Sequence, residues 1–360
     1  MYSLNRKSAT IKSIVKKEQD IQLLNILFND QKESRAVNYI QLSGELSVGD
    51  RVIVNSTAVD LGLGTGGYHF VISKITATQN NNPVKNKDNG HIMKLRYTPF
   101  QMCTLSVEEE ASPYHELIKN FTGLAGQVVV FIPLHSLLAP LVISFKKIFP
   151  QHKVAYIMSE GGSLALPFSN TIKELKRDDL LDKTITMGHA FGGDYEAVNI
   201  YTALACAKEV VEADLIVVGM GPGLVGTNTP LGFSGTENAL YSYAVNVLEG
   251  RSIIVPRVTF AEKRKRHYIL SHHTVTLLKN LMKHRTDVVF PRDKRVRDYL
   301  DQLQLGNFHN LNYYETEPIK DILENSNYSF SSMGRKLDDD PLFFITAGLA
   351  VLRYREMEKE

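Results

Sequence analysis

Short apolar runs separated by turn residues dominate the first hundred residues of the chain. Five of them have the length and the β-branched content of strands: ATIKSIVKKE, DIQLLNILFN, SRAVNYIQL, GDRVIVNSTAV and GYHFVISKI. Strands spaced this closely, with no helical pattern between them, predict a small antiparallel β-barrel domain over residues 1–110. The polar segment 76–90 is predicted to be a mobile loop, and the glycine-rich segment 62–67 is predicted to be a tight turn, although it could also act as a hinge or a contact surface.

From about residue 120 the pattern changes to buried-strand runs that alternate with helical segments. The apolar runs are QVVVFIPL, KVAYIMS, TITMGHAF, DLIVVGM, SIIVPRV and DVVFP. One long helix is predicted from Tyr195 to Ala213, and a last helix begins after an N-cap at Asp340 with Pro341 in its first position. This alternation predicts an α/β fold: a doubly wound, mostly parallel, Rossmann-like domain over residues 120–360. Ligands of such sheets bind beyond the carboxyl ends of the strands.

Composition and charge narrow the classes of partner. The 41 Lys and Arg residues nearly balance the 39 Asp and Glu residues, and a formal net charge of +2 argues against a dedicated nucleic-acid binder. Two cysteines far apart in sequence form no disulfide framework, so we expect a cytoplasmic protein. The N-terminus lacks the apolar segment of a signal peptide, and no apolar run is long enough to span a membrane, so we expect no membrane partner. A homo-oligomer is compatible with the sequence.

The glycine-rich loop GMGPGLVGTNTPLGFSG follows the fourth of these runs. Gly221, Gly223 and Gly226 have the G-x-G-x-x-G spacing of a dinucleotide-binding turn. However, the next helix is expected only near Gly235, where Ser234 and Glu237 suggest a capping box, and Arg257 stands where a dinucleotide site carries an acidic residue. NAD and flavin are therefore not favoured.

The same loop remains a candidate site for a small anion, with ligand contacts predicted at Gly221, Gly223, Gly226, Thr227, Asn228, Thr229, Ser234, Gly235 and Arg257. Its backbone N–H groups and hydroxyls can converge on an anion, and a guanidinium adds a charged hydrogen bond. The alternative is a loop whose glycines only turn the chain between strand and helix.

A cluster of basic and imidazole side chains occupies residues 260–284. Arg266 and His267 are predicted to contact an anion, and His272 or His273 to act as acid or base, because imidazole titrates near neutrality. His267 and His272 do not have the H-x-x-x-H spacing of a helical zinc site. The alternative here is a solvated basic loop with Ser271 as the cap of the following helix. The KRKRH run resembles a nucleic-acid-binding patch, but it is short and lies in a nearly neutral protein, so nucleic acid is not favoured as a partner.

Further candidates follow the other strands. His135 and Asp194 are candidate catalytic residues, although Asp194 also suits a helix N-cap, as does Ser136. His189 and Glu196 are candidate ligands of a divalent metal ion, which the sequence permits but does not require. Arg335 lies beside a glycine and could close over a bound anion.

Four stretches in order resemble those of an uncharacterised bacterial family, common in Gram-positive organisms and known only as a domain of unknown function. They are STAVDLGLGTGGYHFVI, GHAFGGDYEAV, GMGPGLVGTNTPLGFSG, and RHYILSHHT with the distant SSMGR. The resemblance covers essentially the whole chain and implies no activity and no site residues.

The sequence therefore favours a protein that binds, and could act on, a small anionic or phosphorylated molecule at the carboxyl edge of the sheet. The alternative is a non-catalytic module that senses a ligand or binds a partner. A nucleotide-dependent oxidoreductase is a third and weaker hypothesis. The sequence does not decide whether the protein is an enzyme.

Overall fold

The computed structural model describes residues 4–63, 66–75 and 90–360 of the chain. The chain divides into two compact units, Met1–Cys103 and Thr104–Glu360. Almost all of the predicted loop at 76–90, and part of the predicted turn at 62–67, lie outside the described residues. No helix in the described part of the chain combines the length and the hydropathy that crossing a membrane requires.

The N-terminal unit is a closed five-stranded barrel in the order β1-β2-β3-β5-β4. Its strands and two short helices are β1 (Arg6–Lys17), β2 (Ile21–Phe28), β3 (Glu33–Tyr39), α1 (Ile40–Ser43), β4 (Arg51–Asn55), α2 (Thr57–Asp60) and β5 (Tyr68–Lys74). All five predicted runs form strands, and their alternating apolar residues, such as Ile11, Leu24 and Val54, fill the barrel. Four neighbouring pairs are antiparallel, whereas β3 and β5 pair in parallel. Two further strands, β6 (Ile92–Lys94) and β7 (Met102–Thr104), form a separate two-stranded sheet.

The second unit is the predicted α/β domain. Its strands are β8 (Val128–Phe131), β9 (Val154–Ser159), β10 (Lys183–Met187), β11 (Tyr195–Ala197), β12 (Leu215–Met220), β13 (Arg251–Ile254), β14 (Val258–Thr259), β15 (Ile269–Leu270), β16 (Asp287–Pro291), β17 (Asn310–Tyr314), β18 (Ser331–Ser332) and β19 (Arg335–Lys336). Its helices are α3 (His115–Lys119), α4 (Leu138–Ile148), α5 (Asn170–Arg177), α6 (Ile200–Ala205), α7 (Glu237–Val247), α8 (His272–Thr276), α9 (Lys294–Leu303), α10 (Glu317–Glu324) and α11 (Pro341–Met357).

Eight of these strands form one parallel sheet in the order β11-β10-β9-β12-β8-β13-β16-β17. Every residue of β8, β9, β12 and β16 is buried, as expected for strands covered on both faces. The cores on the two faces are separate: α4, α5, α10 and α11 cover one face, while α6, α7, α8 and α9 cover the other. The doubly wound architecture is thereby confirmed.

The predicted long helix from Tyr195 to Ala213 is wrong. Its first three residues form β11, which pairs in parallel with β10 at the edge of the sheet. Helix α6 begins only at Ile200, and its cap is Asn199, whose side chain accepts hydrogen bonds from two backbone N–H groups of the first turn. Backbone pairing with an existing sheet edge therefore outweighs the helical pattern of these residues.

The predicted capping box of Ser234 and Glu237 is also wrong. Ser234 Oγ accepts a hydrogen bond from the backbone N–H of Val225, 3.3 Å away, and Glu237 accepts one from the hydroxyl of Ser159 at the end of β9. Helix α7 starts at Glu237 without a side-chain cap. Hydrogen bonds to residues outside α7 thus replace the predicted capping box.

Candidate functional site

The carboxyl ends of β8 and β12 lie where the connections of the sheet diverge. These strands are neighbours, yet α4, which follows β8, packs with α5, α10 and α11, whereas α7, which follows β12, packs on the opposite face with α6. Connections that leave in opposite directions open a crevice at the carboxyl edge, which is where open α/β sheets bind ligands. This switch point is the candidate site.

Two adjoining cavities fill the crevice. The arginine cavity has a volume of about 380 Å³, and the serine cavity has a volume of about 300 Å³. The arginine cavity is lined by Leu134, Gly223, Leu224, Gly226, Asn228, Arg257, Arg264, Arg266, His267, His273 and Met333. The serine cavity includes His135, Ser136, Ser169, Gly221 and Ser332 in its lining. Because both cavities share Leu134, Gly223, Leu224 and Met333, they lie side by side.

Arg257 is the most deeply buried charge of the arginine cavity. Its side chain is 4% exposed, and one terminal nitrogen lies 3.2 Å from a carboxylate oxygen of Glu262. Its Nε is buried and has no hydrogen-bond partner among the described residues. Burial lowers the pKa of Arg257 to about 10, so the guanidinium is charged at neutral pH.

Glu262 is shared among three guanidinium groups. It accepts hydrogen bonds from Arg264 at 2.7 and 3.0 Å as well as from Arg257, and Arg335 lies 3.6 Å away. The hydrogen bond from Arg264 is the main reason why the pKa of Glu262 falls to about 2. Arg335 also pairs with Asp340 at 3.2 Å. Arg335 is not among the residues that line the cavity, and its guanidinium instead lies next to the carboxylates of Asp340 and Glu262.

Asp340 does not cap α11 through its side chain, as the sequence predicted. Its carboxylate accepts a hydrogen bond from Thr259 Oγ1 at 2.6 Å, although Pro341 does occupy the first helical position. Burial raises the pKa of Asp340, because the surrounding side chains remove water from its carboxylate.

His267, His272 and His273 converge although their sequence spacing does not put them on one helical face. Their ring centroids are 4.9, 5.1 and 4.3 Å apart, and one ring nitrogen from each lies within 4.8 Å of the other two. Ser271 caps α8, as predicted, and also lies 2.7 Å from Nδ1 of His267. A short turn at 265–267 and strand β15 fold the chain back so that His267 meets the start of α8.

These three imidazoles are neutral at physiological pH. Burial is the main cause that lowers the pKa of His267 to about 3 and that of His273 to about 4, and it also lowers the pKa of His272. Positive charge on Arg257 and the neighbouring imidazoles acts in the same direction. Neutral imidazoles can accept a hydrogen bond or bind a metal ion through an unprotonated nitrogen.

The glycine-rich loop after β12 wraps around this group. Gly223 has a φ of 106°, which favours glycine, and lies in the wall between the two cavities. Gly226 pairs with Phe233, whose ring stacks on His273 at 4.1 Å between centroids and an angle of 6°. A Cβ added to Gly226 would lie 3.1 Å from Nε2 of His273. The loop therefore fixes the position of His273.

The predicted polar donors of the loop divide into two groups. Asn228 lines the arginine cavity, but Thr227 and Thr229 bond to each other at 2.9 Å and to Gly232 inside the loop. Ser234 also bonds within the loop, as described above. Gly235 lies in a narrow cleft beside the cavity, together with Arg257, His273 and Phe233.

His135 belongs to the serine cavity, where a hydrogen-bond network holds it. Its Nδ1 lies 3.2 Å from the hydroxyl of Tyr156, and its Nε2 lies 2.6 Å from Ser169 Oγ. Tyr156 donates to backbone carbonyls at the end of β12, and Ser169 accepts from the backbone N–H of Ile172 as the cap of α5. Burial lowers the pKa of His135 to about 4. Ser136 does not cap α4; its hydroxyl lies 2.9 Å from that of Ser332.

Asp194, His189 and Glu196 are not among the residues that line either cavity. Asp194 accepts from Lys176 at 2.7 Å and from the backbone N–H and hydroxyl of Thr184, so it ties α5 to β10 instead of capping a helix.

Glu196 and His189 lie on the β10 and β11 side of the sheet. The carboxylate of Glu196 accepts from the hydroxyl of Thr186 at 2.6 Å and from the backbone N–H of Gly192 at 2.7 Å. The backbone N–H of His189 donates to Glu160 at 2.7 Å. The structure therefore does not bring these two candidate metal ligands into the histidine cluster.

The sequence reasoning missed Ser169 and assigned Glu237 a different role, in a capping box. Ser169 bonds to His135, and only its place before a helical segment gave a signal for it. Glu237 has a pKa raised to about 7, chiefly by burial and further by the nearby charge of Glu160. Nothing in the local sequence indicates that Glu237 faces the end of β9.

Comparison with known proteins adds a family but no activity. The profile of one family, described as a protein of unknown function (DUF3866), matches residues 35–351. No curated protein matches the chain. Any functional conclusion must therefore come from the geometry at the switch point.

Proposed function

The chain belongs to the DUF3866 family, whose function is unknown, and we propose that it binds a small anionic molecule, carrying a phosphate or a similar group, in the arginine cavity. The observation that carries the proposal is Arg257. It is a charged, almost fully buried guanidinium at the cavity wall, and its Nε has no hydrogen-bond partner among the described residues. A buried charge that is incompletely paired is costly, and an anion would complete its pairing.

The charge balance around the cavity supports this proposal. Arg257, Arg264 and Arg335 pair with or approach the carboxylates of Glu262 and Asp340. Arg266 also lines the cavity, so these four arginines exceed the two carboxylates by two positive charges. Glu262 already accepts from two of these arginines and lies near a third, so it offers little further compensation. Arg266 is exposed and lines the cavity, and it is therefore free to turn towards a ligand.

Shape supports a small ligand rather than a polymer. A volume of about 380 Å³ is within the range of small-molecule sites. The backbone turns at Gly223 and Gly226 where side chains would otherwise narrow the cavity, and Asn228 adds an amide to its wall. Planar guanidinium groups can form two parallel hydrogen bonds with a phosphate or a carboxylate.

The loop geometry is not that of a dinucleotide site. In such a site the third glycine enters the helix that follows the strand, whereas here Gly226 pairs with Phe233 and α7 starts only at Glu237. A dinucleotide-dependent oxidoreductase therefore remains the weaker alternative. The other alternative is a module that senses an anion without converting it, and comparison of ligand binding with turnover of the same compound separates that module from an enzyme.

The test measures binding of inorganic phosphate and pyrophosphate to the full chain by calorimetry at low ionic strength. We expect Arg266→Gln to weaken binding at least about tenfold, because loss of a charge-assisted hydrogen bond costs roughly 1.5–3 kcal/mol. Arg257→Gln should weaken it further. The matched control is Arg292→Gln, which removes an exposed arginine that pairs with Glu315 away from the cavity.

Two results would overturn the proposal. One is the absence of binding of both anions to the wild-type chain at millimolar concentrations. The other is an unchanged affinity in Arg266→Gln and in Arg257→Gln, with thermal unfolding showing that both variants are folded. An effect of Arg292→Gln equal to that of Arg266→Gln would instead indicate nonspecific attraction by surface charge.

A further inference from the structure

Three imidazole side chains meet beside the arginine cavity, and two of them line it. We propose that His267, His272 and His273 bind a transition-metal ion of the Zn²⁺ or Co²⁺ class. The inference goes beyond anion binding, because it rests on the three imidazoles and not on the arginines. Three histidine nitrogens with an open fourth position are a recurrent ligand set for such ions.

The distances allow a common ion with little movement. One ring nitrogen from each histidine lies within 4.8 Å of the other two. Zinc–nitrogen bonds of about 2.0–2.1 Å in tetrahedral geometry would bring the nitrogens to roughly 3.3 Å from one another. Small rotations of the three rings can close this difference, because the centroids are already 4.3–5.1 Å apart.

The hydrogen bonding of His272 and His267 suits metal ligands, because each ring has a nitrogen that can bind an ion. The Nε2 of His272 is buried and has no hydrogen-bond partner among the described residues. In His267, the Nδ1–H tautomer donates to Ser271 Oγ at 2.7 Å and leaves the lone pair of Nε2 for an ion. A hydrogen bond of this kind, from the second ring nitrogen to a protein oxygen, orients most metal-binding histidines.

His273 is held by the glycine-rich loop. Phe233 stacks on one face of its ring, and the backbone of Gly226 passes next to Nε2. His267 and His273 both line the arginine cavity, so a fourth ligand could reach the ion from that side. The ion would lie beside positively charged arginines, and the anion of the proposed function could supply the compensating charge as that fourth ligand.

The test titrates Co²⁺ and Zn²⁺ into the full chain after removal of metals with a chelator. Co²⁺ reports its ligands through visible absorption bands, and Zn²⁺ is measured by competition with a chelating dye. We expect one ion per chain, and we expect His272→Gln and His273→Gln to weaken binding at least about 100-fold, beyond the usual cost of losing an outer-shell partner.

The matched control is His284→Gln. His284 is also a partly buried histidine whose Nε2 has no hydrogen-bond partner among the described residues, but it lies outside the cluster. The variant His272→Cys retains a metal ligand and should bind Co²⁺ with a new thiolate charge-transfer band. That band is a readout which a purely structural role of His272 would not produce, and it remains informative if a glutamine variant fails to fold.

The inference is overturned if the wild-type chain binds neither ion at micromolar concentrations. It is also overturned if folded His272→Gln and His273→Gln bind as the wild type does, or if His272→Cys binds Co²⁺ without the thiolate band. Phosphate binding is measured separately on chelator-treated protein, so failure of the metal site and failure of the anion site are distinguishable.

Discussion

Protonation of His135 should destabilise the folded chain at mildly acidic pH. Both ring nitrogens of this buried histidine are engaged, one with the hydroxyl of Tyr156 and the other with that of Ser169. The network is consistent when Nδ1–H donates to Tyr156, Tyr156 donates to a carbonyl of β12, and Ser169 donates to Nε2. A second proton on Nε2 would end the hydrogen bond that Ser169 donates and would place a positive charge on a buried ring.

The magnitude follows from the two pKa values of His135. Burial lowers its pKa from 6.5 to about 4 in the folded chain, so the unfolded chain binds the proton first as the pH falls. The free energy of unfolding is therefore unaffected by protonation of His135 above pH 6.5, and it decreases as the pH falls towards 4. At 1.36 kcal/mol per pH unit, the total loss is about 3 kcal/mol, of which roughly 2 kcal/mol is lost between about pH 7.5 and about pH 5.

The assay compares urea unfolding of the wild type and of His135→Asn across this pH range. Far-ultraviolet circular dichroism is a suitable signal, because the chain contains no tryptophan. We expect the variant to be less stable at neutral pH, since it loses buried hydrogen bonds. Its further loss of stability down to about pH 5 should be smaller than that of the wild type by roughly 2 kcal/mol.

Equal pH dependence in the wild type and in His135→Asn would refute this reasoning. The control is His152→Gln, at a partly exposed histidine of the same unit. If His152→Gln flattened the pH dependence as much as His135→Asn, the effect would not belong to the buried network. The expected outcome would indicate that His135 positions the ends of β8 and β12 and does not act as a base. A base whose pKa is about 4 is a poor proton acceptor at neutral pH.

Three further substitutions test how the sheet edge is built. Gly221→Ala should lower the free energy of unfolding by about 1–3 kcal/mol in urea titrations, since the new methyl group would lie 2.4 Å from the carbonyl oxygen of Ser163. Glu237→Gln should raise the free energy of unfolding, measured by thermal denaturation, by up to about 3 kcal/mol above pH 7, and this gain should vanish below pH 4.5. The reason is that the pKa of Glu237 is about 7 in the folded chain and 4.5 in the unfolded chain, so the buried negative charge destabilises the folded chain only at higher pH. Asp194→Asn should cost about 1–3 kcal/mol in urea unfolding, because an amide cannot replace the ion pair with Lys176, and no loss would contradict the tie between α5 and β10.

Much of this architecture could be predicted from the sequence because hydrophobic periodicity is a local signal. The strands β8 and β12 are apolar along their whole length, and β9 and β16 each carry one polar residue at an end, a pattern typical of strands buried on both faces. By contrast, β11 has only three residues, and its identity depends on the open edge of β10 beside it. A short polar edge strand leaves no period of its own, so the helical pattern that follows it misled the prediction.

The candidate site shows the same division between local and tertiary information. The strand-end rule directed attention to the glycine-rich loop and to the basic segment after β13, and both line the arginine cavity. It could not show that Thr227 and Thr229 bond to each other inside the loop. Nor could the spacing of His267 and His272 reveal their proximity, because a non-helical turn and β15 lie between them.

The positive charge of the arginine cavity has two opposite consequences for its histidines. Together with burial, it keeps the imidazoles neutral, which suits them to bind a metal ion but makes His267 and His273 weak proton acceptors at neutral pH. An anion bound beside Arg257 would offset that charge, and by the same electrostatics it would raise the pKa of the nearby imidazoles. The chemistry open to the histidines therefore depends on what occupies the cavity. We therefore expect an acid–base role of His273, as the sequence suggested for His272 or His273, to be stronger when such an anion is bound.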